Sequence, residues 1–88
     1  MENKTVNWSA VEAVVESIIE QQNRALLKLG RRIVPTLTSE DVLQPNDYPE
    51  LENHPEFRHE EGILAGALTV QAALRAIKWQ YSMAEGVD

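Results

Sequence analysis

The most constraining feature of the sequence is an unbroken apolar repeat in its last third. Apolar residues recur there at steps of four and three positions, namely Ile63, Ala67, Val70, Leu74, Ile77, Tyr81 and Ala84. This spacing is typical of the seam along which α-helices pack against one another in bundles and coiled coils. The repeat therefore predicts one long helix, from about residue 56 to about residue 85, with Gly86 marking its end.

A second apolar stripe runs along the same segment, roughly opposite the first, and consists of Leu64, Leu68, Ala72 and Trp79. Only a narrow sector between the two stripes is polar. A helix that is apolar around most of its circumference needs packing partners on more than one side, and a single neighbouring helix cannot cover it. We therefore expect the chain to self-associate.

A first helix is predicted over about residues 9–33. Ser9 and Glu12 have the SxxE spacing of a capping box, in which two side chains satisfy free backbone donors at a helix start. Pro35 disfavours helical geometry at Val34, so the helix should end just before that residue. One stripe of this helix is apolar apart from a glutamine, and its members are Val11, Val15, Ile18, Gln22, Ala25, Leu26, Leu29 and Ile33.

Charge predicts how the two helices run, because each is acidic near its beginning and basic near its end. Antiparallel packing in one register pairs Glu12 with Lys78, Glu16 with Arg75, Lys28 with Glu61 and Arg31 with Glu60. Exposed pairs contribute less than about 1 kcal/mol each, so they select orientation rather than supply stability. The predicted fold is all-α, an antiparallel helical hairpin that dimerises into a four-helix bundle.

The connection, about residues 34–55, is too long to be structureless in so small a domain. Thr38 can cap a turn through TSEDVL, and Pro49 suits the first position of another turn, YPELEN. An apolar underside for these turns would come from Leu37, Val42, Leu43, Tyr48 and Leu51. We therefore predict short helical turns in the connection and a single small helical domain over residues 1–88.

Composition narrows the range of functions. The chain has no cysteine, which excludes disulfides, thiolate nucleophiles and cysteine zinc sites. Its net charge of −6 opposes binding to phosphate backbones and anionic lipids, so we expect neither nucleic acid nor membrane as a partner. The amino terminus has no secretory pattern, and no apolar run reaches the roughly 20 residues of a membrane span, so we expect a cytoplasmic protein.

The stretch YPELENHPEFRHEEG raises the question of a metal site. Glu56 and His59 form an ExxH pair, a spacing that directs one oxygen and one nitrogen ligand to a common point in ferritin-like bundles. Glu60, or Glu20 of a second chain, could extend such a site. The opposing interpretation, which we prefer, is a solvated helix start at Pro55, with acidic residues in a favourable first turn and no bound metal or other cofactor.

Two glutamines and two tryptophans carry further expectations. Gln22 and Gln71 each interrupt an apolar region, where an amide either fixes register through a hydrogen bond between helices or lies at a wet boundary. Trp8 and Trp79 come to the same end of an antiparallel hairpin, so we expect them to share one apolar cluster.

No nucleophile elbow and no glycine-rich phosphate loop occurs in the sequence, so we do not expect an enzyme. The hypothesis is a small non-enzymatic protein–protein interaction module that forms a homodimer and possesses a surface for another protein. The alternative is a ferritin-like metal-binding bundle that uses the ExxH pair. The predicted interface consists of eight residues of the second helix: Leu64, Leu68, Ala72, Trp79, Ile63, Val70, Leu74 and Ile77.

Overall fold

The structure, a computed structural model, describes residues 7–84 and the side chains of residues 7–81. These residues contain helices and turns but no strand. The predicted end of the second helix near residue 85, and Gly86, lie outside the described residues. The three α-helices are α1 (Trp8–Ile33), α2 (Pro49–Glu52) and α3 (Pro55–Ala84), and two 3-10 turns, Asp41–Leu43 and Pro45–Asp47, lie between α1 and α2.

Helices α1 and α3 pack side by side and antiparallel, which confirms the predicted helical hairpin. Lys78 Nζ lies 3.2 Å from Glu12 Oε2, which joins the end of α3 to the beginning of α1. Gln22 Nε2 lies 2.8 Å from Glu60 Oε1, which joins the second half of α1 to the beginning of α3. We refer to the end of the hairpin that carries the connection as the closed end, and to the other as the open end.

The start of α1 differs from the prediction. Asn7 is the cap, because its Oδ1 accepts a hydrogen bond from the backbone N–H of Ala10 at 3.1 Å. Ser9 lies inside the first turn, so the predicted capping box is wrong. Asparagine and serine are comparably good caps, and Glu12, the second half of the predicted box, instead pairs with Lys78 of α3.

The connection contains the two predicted helical turns, Asp41–Leu43 within TSEDVL and α2 within YPELEN, and a third that was not predicted, Pro45–Asp47. The backbone N–H of Asp41 donates to Thr38 Oγ1, and the backbone N–H of Thr38 donates to Asp41 Oδ2, both at 3.1 Å. Pro49 begins α2 and Pro55 begins α3. Each proline therefore stands at a helix start, where its missing N–H removes no helical hydrogen bond.

The core lies towards the closed end and consists of Ile19, Leu26, Leu29, Leu37, Val42, Leu51, Phe57 and Leu64. Of the predicted underside of the connection, Leu37, Val42 and Leu51 are buried, whereas Leu43 is 71% exposed. Phe57 is fully buried, although it belongs to neither apolar stripe of the predicted second helix.

Gly30 allows the connection to approach α1 closely. A Cβ atom at this position would lie 2.5 Å from Leu37 Cδ2 and 3.4 Å from Phe57 Cε1. Leu37 and Phe57 are both enclosed by the core and have little space to move. The glycine therefore serves packing between elements, at a position where alanine would be the better helix former.

The hairpin is long and thin. Its radius of gyration is 17.4 Å, compared with about 12 Å for a compact chain of this length. The accessible surface is 6557 Å² for a chain of 9.9 kDa, compared with about 5,200 Å² for a typical folded monomer of that mass. A single hairpin therefore exposes more surface than a compact monomer of the same mass.

Candidate interaction surfaces

The connection defines two sides of the hairpin. Val42 and Leu43 border one concavity together with Asn23 of α1, and another together with Leu68 of α3. Asn23 and Leu68 therefore face the side on which this part of the connection lies, which we call the near side.

The opposite side, which we call the far side, follows from helical geometry. Val14 precedes Asn23 by nine residues, and Ile77 follows Leu68 by nine residues. Nine residues make two and a half helical turns, so Val14 and Ile77 point away from the near side. The exposed large apolar residues on the far side, defined here as the far face, are Val14, Ile18, Ile63, Val70, Ile77 and Tyr81.

Exposed apolar residues on the near side, defined here as the near face, are Leu43, Leu68, Ala72 and Trp79. The three α3 residues form one stripe that leads from Leu43 towards the open end. Trp79 is 67% exposed, so the predicted cluster of Trp8 with Trp79 is wrong. Trp8 instead packs against Tyr81, with ring centroids 6.5 Å apart.

The eight residues of the predicted interface occupy three environments. Ile63, Val70 and Ile77 are on the far face. Leu68, Ala72 and Trp79 are on the near face. Leu64, which is 9% exposed, and the half-buried Leu74 lie between these faces, so Leu64 belongs to the core of the hairpin rather than to a free surface. The predicted interface did not include Val14 and Ile18 of α1, although both are apolar and Ile18 belongs to the predicted apolar stripe of that helix.

Of the four predicted charge pairs, only Glu12 with Lys78 is present among the described side chains. Arg58 pairs with Glu61 one turn along α3 at 3.0 Å, and Arg31 Nε donates to the backbone carbonyl oxygen of Leu37 at 2.8 Å. The pairs that involve Glu61, Glu60 and Glu16 are therefore wrong. Local partners within a helix or in the connection are already in reach, whereas a pair between helices requires two long side chains to be ordered.

An acidic row follows the near side of α1. Glu12, Glu16 and Glu20 stand four residues apart, and Glu20 precedes Asn23 by three residues, so the row continues onto the near side. Glu16 and Glu20 are exposed, and neither forms an ion pair with another side chain in residues 7–81. The near side therefore combines an apolar stripe on α3 with carboxylates on α1 that form no ion pair among the described side chains. Arg24, one turn after Glu20, borders the concavity beside Val42 and Leu43.

The ExxH pair does not point into the hairpin, because Glu56 and His59 are both exposed and Phe57 occupies the inward position. Glu60 accepts a hydrogen bond from Gln22 Nε2. In the part of the chain that the structure describes, no three His, Cys, Asp or Glu side chains are grouped so that they could hold a metal ion. No observation within the hairpin favours the metal-binding alternative.

Polar groups of the connection have structural roles. Hydrogen bonds from Thr38 lower the pKa of the Asp41 carboxyl, and burial together with the nearby Asp41 charge raises the pKa of the Tyr48 hydroxyl. His54 is half-buried, and its Nδ1 accepts a hydrogen bond from the backbone N–H of Phe57 at 3.3 Å. The imidazole therefore caps the beginning of α3.

Fold and surface together define an all-α helical hairpin with two exposed apolar faces. Within the described range, neither long helix has a sufficiently extended apolar stretch to cross a bilayer. Comparison with known protein families, with curated proteins and with solved structures finds no match to the chain. The two apolar faces are therefore the features of the chain that bear on its function.

Proposed function

We propose that this protein is a small non-enzymatic interaction module. Two copies pair through their far faces into a four-helix bundle, and the near faces stay accessible to another protein. The observation that carries this proposal is the far face itself, an exposed apolar surface to which both long helices contribute.

The amount of exposed surface supports self-association. The chain has about 1,350 Å² more accessible surface than a typical monomer of its mass. A specific protein–protein interface of ordinary size buries about 800 Å² on each partner. Pairing with a second copy would therefore remove a large part of the excess from water, and the hydrophobic effect favours that burial.

The arrangement of the far face suits a two-fold dimer. Ile18 and Val70 lie at the same level of the hairpin, because the antiparallel register that joins Glu12 to Lys78 also places them side by side. In a two-fold contact each of them would face the corresponding region of the second copy. Ser39, Val42 and Leu43 border the near side, so this part of the connection does not prevent the helices from approaching on the far side to the 8–10 Å spacing of packed helices.

The test is size-exclusion chromatography with light scattering at micromolar concentration. The wild-type chain should elute with twice the monomer mass of 9.9 kDa. Ile18 and Val70 are 52% and 53% exposed, so Ile18→Glu and Val70→Glu should leave the hairpin folded. Each variant should elute as a monomer, because a carboxylate would be buried in the interface without a partner.

Ser17→Glu and Thr69→Glu are matched controls, since each introduces the same charge one residue away on an exposed surface that faces outward. Both control variants should remain dimeric. A wild-type chain that stays monomeric at high micromolar concentration would contradict self-association. Dimers that persist in both far-face variants, with circular dichroism showing native helix content, would contradict the choice of this face.

A further inference from the structure

We propose that the near face binds an amphipathic helix of a partner protein, and that this helix carries lysine or arginine residues along one edge of its apolar stripe. The inference rests on the proposed function, because dimerisation through the far faces leaves both near faces accessible. It specifies the chemistry of the protein that the module would recruit.

The shape of the near face suits a helix. Leu68 and Trp79 are eleven residues apart, so the stripe extends for about 16 Å, or three helical turns. At the closed end it continues into a concavity of about 180 Å³ that Leu43, Leu64 and Leu68 help to line. The stripe lies on α3 and α1 runs beside it, so an amphipathic helix could lay its apolar face along α3 with one edge over α1.

Charge indicates which helix would bind. In the antiparallel register, Glu20 lies beside the Leu68 end of the stripe and Glu16 lies beside Ala72. Arg75 lies further towards the open end, where it borders the same cleft as Glu12. Basic residues one turn apart in the partner would therefore face Glu16 and Glu20, and the net charge of −6 would accelerate their approach.

The same charges disfavour a second copy of this chain as the occupant. Two near faces in contact with α1 against α1 would bring two rows with Glu16 and Glu20 together, and like charges across an interface are repulsive. A partner with opposite charge and a matching apolar stripe avoids this repulsion. The near and far faces would then have different partners.

The experiment uses a synthetic peptide of eighteen residues as the probe, with leucine on one face of the helix and lysine along one edge. A second peptide has the same composition in scrambled order, and a third has glutamate in place of lysine. Binding to the full chain is measured by calorimetry. The fluorescence of Trp79 in the Trp8→Phe variant reports contact at the near face, because Trp8 and Trp79 are the two tryptophans of the chain.

The lysine peptide should bind and change the Trp79 emission, and the other two peptides should bind at least about tenfold more weakly. Leu68→Ala should weaken binding about tenfold, as loss of a central apolar contact does in other interfaces, whereas Val70→Ala on the far face should not. Glu20→Lys should weaken binding about threefold, as expected for a charge at an interface rim. Glu52→Lys makes the same charge change on exposed α2 and should have no effect.

Equal affinity for the scrambled or the glutamate peptide, or undiminished binding to Leu68→Ala, would overturn the proposal. The measurement is repeated on Ile18→Glu, in which the far face is blocked by a charge. Unchanged binding there supports the near face, and loss of binding with native helix content assigns the peptide to the far face. The oligomeric state of the wild-type chain is measured separately by light scattering. A chain that does not dimerise is therefore distinguished from a near face that does not bind the peptide.

Discussion

The side-chain amide of Gln22 donates two hydrogen bonds to Glu60, one to the main-chain carbonyl oxygen at 3.1 Å and one to carboxylate Oε1 at 2.8 Å. Donor and acceptors belong to different long helices, and both residues are half-buried. A short amide side chain can reach a fixed carbonyl only when the helices have one relative position. The contact therefore fixes the register of the hairpin, as a polar residue within an apolar seam does in coiled coils.

Replacing this glutamine should lower the stability of the hairpin. Gln22→Met has a similar size but no donor, so both acceptors on Glu60 lose their partner, and the free energy of unfolding should fall by about 1–2 kcal/mol. Urea unfolding followed by circular dichroism at one protein concentration measures the change. Gln21→Met is the control, since Gln21 is exposed and its replacement should change the free energy of unfolding by less than about 0.5 kcal/mol. Equal effects of the two substitutions would show that the hydrogen bonds do not stabilise the hairpin.

Gly30→Ala should destabilise the protein although alanine is the better helix former. The new Cβ would lie 2.5 Å from Leu37 Cδ2, and overpacking of an enclosed core costs about 1–3 kcal/mol. Gly62→Ala makes the same substitution where no atom lies within 4 Å of the new Cβ, so it should stabilise the protein by about 0.5–1 kcal/mol. Thermal unfolding of the two variants should give midpoints on opposite sides of the wild-type value, and a stabilising Gly30→Ala would contradict the close packing.

His54 should behave as a helix cap. His54→Ala removes the acceptor for the Phe57 N–H and should lower the free energy of unfolding by about 0.5–2 kcal/mol. His54→Asp restores a capping oxygen and adds a negative charge at the positive end of α3, so it should be at least as stable as the wild type. Chemical unfolding gives the free energy of unfolding of the three chains. A higher value for His54→Ala than for His54→Asp would exclude the capping role.

The Asp41 carboxylate should stabilise the protein in a pH-dependent way. Hydrogen bonds from Thr38 hold its pKa in the folded state below the ordinary value of 3.8. The stabilisation is therefore fully present above the pKa of the unfolded chain and is lost as pH falls through the lower pKa of the folded state. The stability difference between wild type and Asp41→Asn should be constant from neutral pH down to about pH 5 and shrink below pH 4. Unfolding measured at several pH values provides the test, and a difference that grows on acidification would have the wrong sign.

Local signals predicted the helical elements well. Pro35 near the end of α1 and the prolines at the starts of α2 and α3 act on their immediate neighbours, so the sequence is sufficient to place them. The start of α1 was harder, because Asn7 and Ser9 are both acceptable caps and local chemistry does not choose between them. Glu12, which would have completed the box with Ser9, has a partner in α3.

The side of α3 that faces the core could not be predicted from the apolar pattern of this helix alone. Ile63, Leu64 and Leu68 are all apolar, so periodicity alone leaves several orientations open. The orientation observed places Phe57 and Leu64 in the core, where residues of the connection also pack. These contacts depend on how a distant segment folds, which a helical repeat does not encode.

Both exposed stripes of α3 follow from the sequence, but the contribution of α1 to the far face does not. Ile18 was predicted within the apolar stripe of α1, and Val14 was not a member of that stripe. An apolar stripe that is too wide for one neighbouring helix to cover indicates an exposed face. This criterion was used for the second helix but not for the first. The width of the apolar sector on each helix is therefore informative about surfaces as well as about cores.

The buried residues are concentrated at the closed end, and none of the described residues from Trp8 to Ile18 or from Ala65 to Tyr81 is fully buried. Backbone amides in this outer half should exchange with solvent through local fraying, which requires only a fraction of the free energy of global unfolding. Association would slow that exchange by covering the outer half. The helical fraction of α1 and α3 in this outer half would then rise with protein concentration. Complete folding of the two long helices would therefore depend on the abundance of the chain.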